Sequence, residues 1–203
     1  CQAAPSFDLD LGRLQIDLLT LNASKIYGPK GVGALFIREG VEITPFTFGG
    51  GQEFGLRAGT ENVAGIVGFG KALELLRERR IEDVQRVKIL RDELLRQLQH
   101  GIKGMEVNGD LRQRSPNNLN IFIPEVDGET LVKRMDIEGF AISSGSACGS
   151  GKSEPSHVMM ALGYDAERAR SSIRVTLGRE NTADEVEAFS SKLIEVVKIL
   201  RKF

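Results

Sequence analysis

Tryptophan is absent from this chain of 203 residues, and histidine and cysteine occur twice each. Each scarcity removes a class of function. Two thiols, Cys1 and Cys148, are too few for a disulfide framework in a chain of this length. No further cysteine and no closely spaced histidine pair gives metal-ligand spacing, so no bound metal is expected. Neither His100 nor His157 has an Asp, Ser or Cys pattern around it, and both read as surface or packing residues. No charge of one sign dominates, since 27 Lys plus Arg stand against 28 Asp plus Glu. That balance gives no general electrostatic reason to expect nucleic acid or an anionic membrane as partner. No apolar run reaches the roughly 18 to 20 residues that a spanning helix needs, and no basic start followed by an apolar stretch suggests a secretory signal. The expectation is a cytoplasmic protein.

What is present is enough apolar material, 41% of residues, to bury a sizeable core. The chain opens on Cys1 rather than Met and runs directly into Gln2-Ala3-Ala4-Pro5, so it reads as a piece of a longer protein. Residues 14 to 21 (LQIDLLTL) form a mostly apolar run that suits a buried strand, and Val32 to Ile37 suit a second. The turn-rich segment between them holds Lys25 to Gly31. Residues 49 to 59 contain five glycines, a composition incompatible with a regular helix or central strand, and predict a long functional loop. From Asn62 to about His100 apolar residues recur at helical spacing among charges, with a bend expected near Arg79 to Glu82. The texture then changes. Leu119 to Ile123 reads as a strand, Gly128 to Met135 as a helix, Phe140 to Ser143 as a strand, and Ala183 to Lys202 as a helix with Thr182 as its N-cap.

Three residues stand out for chemistry. Cys148 lies in SSGSACGSGKSEP, where every neighbour is small or polar. Such a stretch does not bury a thiol and suits a nucleophile that travels between a donor and an acceptor, but composition equally allows an exposed spectator. Gly151-Lys152-Ser153 imitates the end of a phosphate-binding P-loop. The position six residues before the lysine is Ser146 instead of glycine, and the motif fails. Lys25 follows a strand and precedes a glycine-rich turn, a partly desolvated place where an amine is able to form a Schiff base; the plain alternative is a solvated charge. Arg174, in SSIRV, lies on an apolar strand where a guanidinium needs a carboxylate, supplied by the protein as a salt bridge or by a ligand.

Taken together, four segments resemble the cysteine desulfurases of the NifS/IscS type, within the class V aminotransferases. NASKIYGPKGVGALF is similar to that family's cofactor-lysine signature, GGGQEFGLRAGTENV to its glycine-rich loop, SSGSACGS to its catalytic-cysteine loop and SSIRVTLGRENTADEV to its substrate-arginine segment. The resemblance implies an α/β fold, the PLP-dependent transferase fold type I. Residues 1 to 80 would be the C-terminal part of the large cofactor-binding domain, and residues 81 to 203 a small α+β domain carrying the catalytic-cysteine loop. It also implies roles. Lys25 would carry pyridoxal 5′-phosphate (PLP) and shuttle protons, and Gln2 would hydrogen-bond the cofactor's phenolic oxygen. Thr60 would reach the cofactor phosphate of the other subunit of a homodimer. Asn22 and Ser24 stand where the family has a serine and a histidine that help hold the phosphate, and both retain hydrogen-bonding groups. Arg174 would grip the α-carboxylate of L-cysteine. Cys148 would take the substrate's sulfur as a persulfide, leaving L-alanine, and pass it to an IscU-type iron–sulfur scaffold or another acceptor.

Two other functions are compatible with parts of this pattern: a class V aminotransferase-like PLP enzyme, which has no use for the cysteine, and a non-catalytic fragment that binds a sulfur-acceptor protein. The family's aspartate that supports the pyridine nitrogen of PLP would fall two residues before Cys1. This chain by itself is therefore expected to bind PLP weakly or not at all, which an absorbance titration checks; tight stoichiometric binding with desulfurase turnover would overturn it.

Overall fold

The computed structural model describes residues 1–145 and 155–202. The chain divides into two compact units, Cys1–Glu82 and Asp83–Phe203. In the first unit, Asp10 caps a single turn of helix, α1 (Leu11–Leu14), by accepting from the backbone N–H of Gly12, and Gln15 ends it in a left-handed conformation. Strand β1 (Leu18–Asn22) then pairs antiparallel with β2 (Gly33–Ile37), with Leu18 opposite Ile37 and Asn22 opposite Gly33. The sequence predicted two buried strands. The structure shows a two-stranded ribbon whose side chains stay largely accessible, Leu18 and Leu35 among them, because each strand has a single neighbour and one small cover of apolar groups. That cover is a cluster of Ala4, Ala23, Ile26, Phe69 and Ala72. The glycine-rich segment forms no regular element beyond one 3-10 turn at Glu53–Gly55, as its composition requires.

Helix α2 runs from Val63 to Gly101, and the division between units falls within it, after Glu82. Its helical hydrogen bonding passes without a break through Arg79 to Glu82, the stretch where a bend was expected. The reason is local: Arg77-Glu78-Arg79-Arg80-Ile81-Glu82-Asp83 contains neither proline nor glycine and is rich in strong helix formers.

The second unit is a three-stranded antiparallel sheet of β3 (Glu106–Val107), β4 (Asn118–Phe122) and β5 (Ser172–Thr176), in the order β3-β4-β5. Helices α3 (Gly128–Ile137), α4 (His157–Ala161), α5 (Ala166–Arg170) and α6 (Ala183–Leu200) complete it. Period-two alternation sends Leu119 and Ile121 of β4 with Ile173 and Val175 of β5 into one core, together with Leu94 and Leu98 of α2, Leu131 and Met135 of α3, and Leu193 and Val197 of α6. The other face carries Asn118, Asn120, Ser172 and Arg174. The strand expected at 140–143 reduces to one bridge, Ser143 to Arg174. Phe140 is instead drawn into an edge-on packing with Phe189 at 5.4 Å, and Gly139 ahead of it has a left-handed φ of 85° that ends α3.

Helix α6 begins where the sequence placed it, with a full capping box. Thr182 Oγ1 accepts from Glu185 N at 3.2 Å, and Glu185 Oε2 accepts from Thr182 N at 3.0 Å. The Thr182 backbone N–H, and after it the Asn181 side chain, hold the Glu185 carboxyl below its usual range. Thr182→Ala should lower stability by about 1 kcal/mol in urea denaturation. A depressed folded-state pKa adds stability above the unfolded value and loses it as pH falls through the folded value. The stability gap between wild type and Glu185→Gln should therefore narrow on acidification.

Candidate active site

Lys25 lies on the connection between β1 and β2. Asn22, the last residue of β1, caps a 3-10 turn (Ala23–Ile26) by accepting from Ser24 N at 2.9 Å and from Ser24 Oγ at 2.8 Å. Ala23 and Ile26, three residues apart and thus on one side of so tight a turn, are both buried. Lys25 is consequently turned outward. The partly desolvated setting expected for it is not what this chain provides, since the side chain is exposed and, among the described residues, makes no ion pair. Asn22 has committed its oxygen to the cap, which leaves its amide N–H groups as what it offers a ligand. Tyr27, left-handed at φ 64°, closes the turn, and the Ala23 N–H donates to Val32 O across the base of the loop.

The opening residues run alongside this turn. Cys1 Sγ lies 3.4 Å from Thr20 O, and Ala4 is buried with Ala23, so the chain at Gln2 is brought beside the strand end that carries Asn22, Ser24 and Lys25. Gln2 is itself exposed. Thr60 is exposed in the segment ahead of α2, where its carbonyl accepts from Arg57 Nη1 at 3.4 Å. Among the described residues no hydrogen bond or ion pair joins it to Lys25. In the preceding loop the backbone is left-handed at Glu53 and Phe54, and Phe54 is 98% exposed.

Arg174 belongs to the second unit. Its backbone N–H and C=O both bond Ser143, and Asn120 of β4 stands opposite on the other side. The side chain is half-buried, and among the described residues no carboxylate pairs with it. Among the described residues the salt bridge allowed by the sequence is thus not formed. Cys148 lies outside the described residues. The chain reaches that stretch through Gly145, whose added Cβ would lie 3.8 Å from Ser156 Cβ on the far side of it. Cys148 is five positions beyond Ser143 in the sequence.

Sequence reasoning missed the polar network beside Arg174. Asn108, nearly fully buried, donates to Asn120 Oδ1 at 2.8 Å and to Ser172 Oγ at 2.9 Å, and accepts from Arg168 Nε at 2.8 Å. Arg168 is itself held between the rings of Tyr164 and Phe122, 4.4 and 4.8 Å from their centroids, and pairs with Glu106 at 2.6 Å. The one available signal was the alternation Asn118-Leu119-Asn120-Ile121, which marks a strand with a polar second face. His100 and His157 are both exposed, as the sequence suggested. No group of metal-ligating side chains occurs among the described residues, and no described helix is long and apolar enough to cross a membrane.

The turn that presents Lys25 depends on Gly33, since a Cβ there would lie 2.6 Å from the Leu21 carbonyl oxygen. Backbone cannot yield as a side chain tip does. Gly33→Ala is expected to destabilise the first unit by about 1–3 kcal/mol, read from a lowered urea midpoint.

Comparison with known proteins agrees with this architecture. The family model for aminotransferase class-V matches residues 1–189. Cysteine desulfurase IscS of Clostridium botulinum (strain Hall) is 43% identical over 99% of this chain and 51% of the relative. A solved NifS-like protein superposes with a TM-score of 0.87 at 35% identity, covering 97% of this chain and 50% of that one. The NifS-like protein of Rickettsia africae ESF-5 gives the same TM-score at 32% identity, covering 97% and 51%. The chain spans about half the length of the curated relatives it matches. Its fold is that of the PLP-dependent fold type I enzymes, and the chain belongs to the aminotransferase class V family.

Proposed function

We propose that this chain is part of a cysteine desulfurase that converts L-cysteine to L-alanine and takes the sulfur onto Cys148 as a persulfide. The observation that carries the reading is Arg174: a half-buried guanidinium with no protein carboxylate among the described residues, on a strand bonded through Ser143 to the chain that leads to Cys148. The name of the relatives, cysteine desulfurase IscS, supports the same reading. In it, residues 1 to 80 belong to the large cofactor-binding domain and residues 81 to 203 form the small one.

The residues present fit PLP. The Lys25 amine has no competing ion pair among the described residues, and Gln2 and the Asn22 amide are hydrogen-bond donors on neighbouring stretches of chain. When bound, PLP supplies the electron sink for the reaction. Lys25 would hold it and move the proton at the substrate α-carbon, while Gln2 and the Asn22 amide would offer hydrogen bonds to its oxygens; the Ser24 hydroxyl, which donates to Asn22 Oδ1 in this structure, would turn from that bond to join them. Arg174 holds the substrate carboxylate through two parallel N–H bonds and so fixes where the substrate thiol lies. The Cys148 thiolate forms a bond to that sulfur as the sulfur–carbon bond breaks. The electron pair stays with carbon, which is protonated to give alanine. A homodimer goes with this reading: Thr60 would serve the partner's cofactor, and exposed Phe46, Phe48 and Phe54, the last on a strained left-handed backbone, would be covered by the second copy. An IscU-type scaffold or similar carrier would receive the sulfur. The cytoplasm is the fitting compartment, since thiols stay reduced there.

The test is an absorption spectrum of the protein, as produced from its own gene, with saturating PLP and then L-cysteine together with a thiol reductant, which frees the persulfide sulfur as sulfide. A band at the blue edge of the visible, lost in Lys25→Ala, is expected, with alanine and sulfide formed. Cys148→Ser should keep the band and abolish sulfide release. Arg174→Ala should raise KM for L-cysteine roughly tenfold to a hundredfold, the loss of a charge-assisted pair. Transamination unaffected by Cys148→Ser would instead make the protein an aminotransferase.

A further inference from the structure

Arginine donates hydrogen bonds and never accepts them, and that asymmetry fixes the orientation of two asparagines. Arg168 Nε donates to Asn108 Oδ1, so the other end of the Asn108 amide is its NH2 group. That NH2 donates to Asn120 Oδ1 and to Ser172 Oγ, and Ser172 in turn donates to Arg168 O at 2.7 Å. Every group of Asn108 is thereby satisfied. Asn120 has its oxygen consumed, and its own NH2 has no acceptor among the described residues. Neither amide is free to flip without breaking a bond to a buried partner.

Asn120 stands directly across from Arg174 in the β4–β5 ladder, so the two side chains share a sheet face. Because Arg174 spends its backbone N–H and C=O on Ser143, it has none to exchange with Asn120. The two therefore form a non-hydrogen-bonded cross-strand pair, the kind in which side chains approach most closely. Both are partly accessible. Asn118, two residues along, repeats the pattern: its Oδ1 accepts from Arg114 Nη1 at 3.3 Å. On the sheet face that carries Arg174, whose guanidinium makes no ion pair among the described residues, Asn118 and Asn120 each keep an NH2 group as a donor, and donors beside a cation are the complement of an anion.

We propose that Asn120 is a second anchor for the carboxylate of the substrate, donating through Nδ2 beside Arg174, and that Asn108 and Arg168 are positioning residues that hold it in the donor orientation. The proposal rests on the desulfurase reading for the identity of the substrate, an α-amino acid. It adds a residue whose role is to select a carboxylate, so an amine thiol without one should be rejected here.

Asn120→Asp separates donor from acceptor. It retains the oxygen that receives from Asn108, so the network and fold are kept, and it replaces the donating group with an anionic acceptor. The experiment follows the Asn120 side-chain amide and the Arg174 Nε–H by NMR during titration with L-alanine, and then with cysteamine, which lacks the carboxylate. Both resonances should shift with L-alanine and neither with cysteamine, and N120D should bind L-alanine about tenfold to a hundredfold more weakly with an unchanged melting temperature. In turnover, N120D should raise KM for L-cysteine while kcat changes far less. Asn108→Asp, which keeps the acceptor for Arg168 but gives Asn120 no donor, should produce a smaller loss of the same kind. If Arg174 responds to L-alanine while Asn120 does not, and N120D binds as wild type, the proposal fails and the role of Arg174 stands. If neither resonance responds to L-alanine, both roles fall together.

Discussion

The register of β4 against β5 is the constraint on which the second unit depends. Leu119, Ile121, Ile173 and Val175 face the core because Asn118 pairs with Thr176 and Phe122 with Ser172. A slip of one residue in either strand would reverse that strand's faces, burying asparagine or arginine and exposing leucine and isoleucine. The same register places Asn120 opposite Arg174 and leaves the outer edge of β5 to receive Ser143. Core packing and the makeup of the polar face are therefore set by one alignment, and the apolar side supplies the energy that holds the polar side in place. A buried asparagine bonded at every position sharpens the choice further, since a misregistered Asn108 would lose its partners at a cost of about 1–3 kcal/mol each.

The first unit is organised by contrast around a turn. Its ribbon has two strands, and the small cluster of Ala4, Ala23, Ile26, Phe69 and Ala72 covers one side. Alanine dominates that cluster, which lets backbones approach closely but removes little apolar surface from water. Leu18, Leu35, Val63 and Val67 are among the apolar residues left accessible. A geometry this exposed is well suited to presenting Lys25 and poorly suited to desolvating it.

Much of the architecture was legible in the sequence because its signals were local. The α6 capping box follows from Thr182 and Glu185 three residues apart, and α2 from sustained helical spacing. The glycine-rich segment declared itself by composition. Errors arose where the outcome depended on distant neighbours. LQIDLLTL has the composition of a buried strand, but Gln15 adopts a left-handed cap and the strand begins only at Leu18. Phe140 to Ser143 has a strand's residues, yet Phe189, some fifty positions on by sequence number, claims the aromatic ring. Lys25 and Arg174 were singled out through their segments, but the exposure of Lys25 and the want of an ion pair at either among the described residues were not legible there. Asn108 and Arg168 carried no signal at all, since a hydrogen bond spanning 60 positions leaves no local pattern.

Arg168 shows what such a distant residue contributes. Long side chains give up as much as about 2 kcal/mol of rotamer entropy when fixed. Two aromatic rings and Glu106 fix this one during folding, before any ligand arrives. Asn108 and Asn120 inherit that order through their amides. The amide face on β4 is thus preorganised, and the anion proposed for it would meet groups whose freedom has already been surrendered.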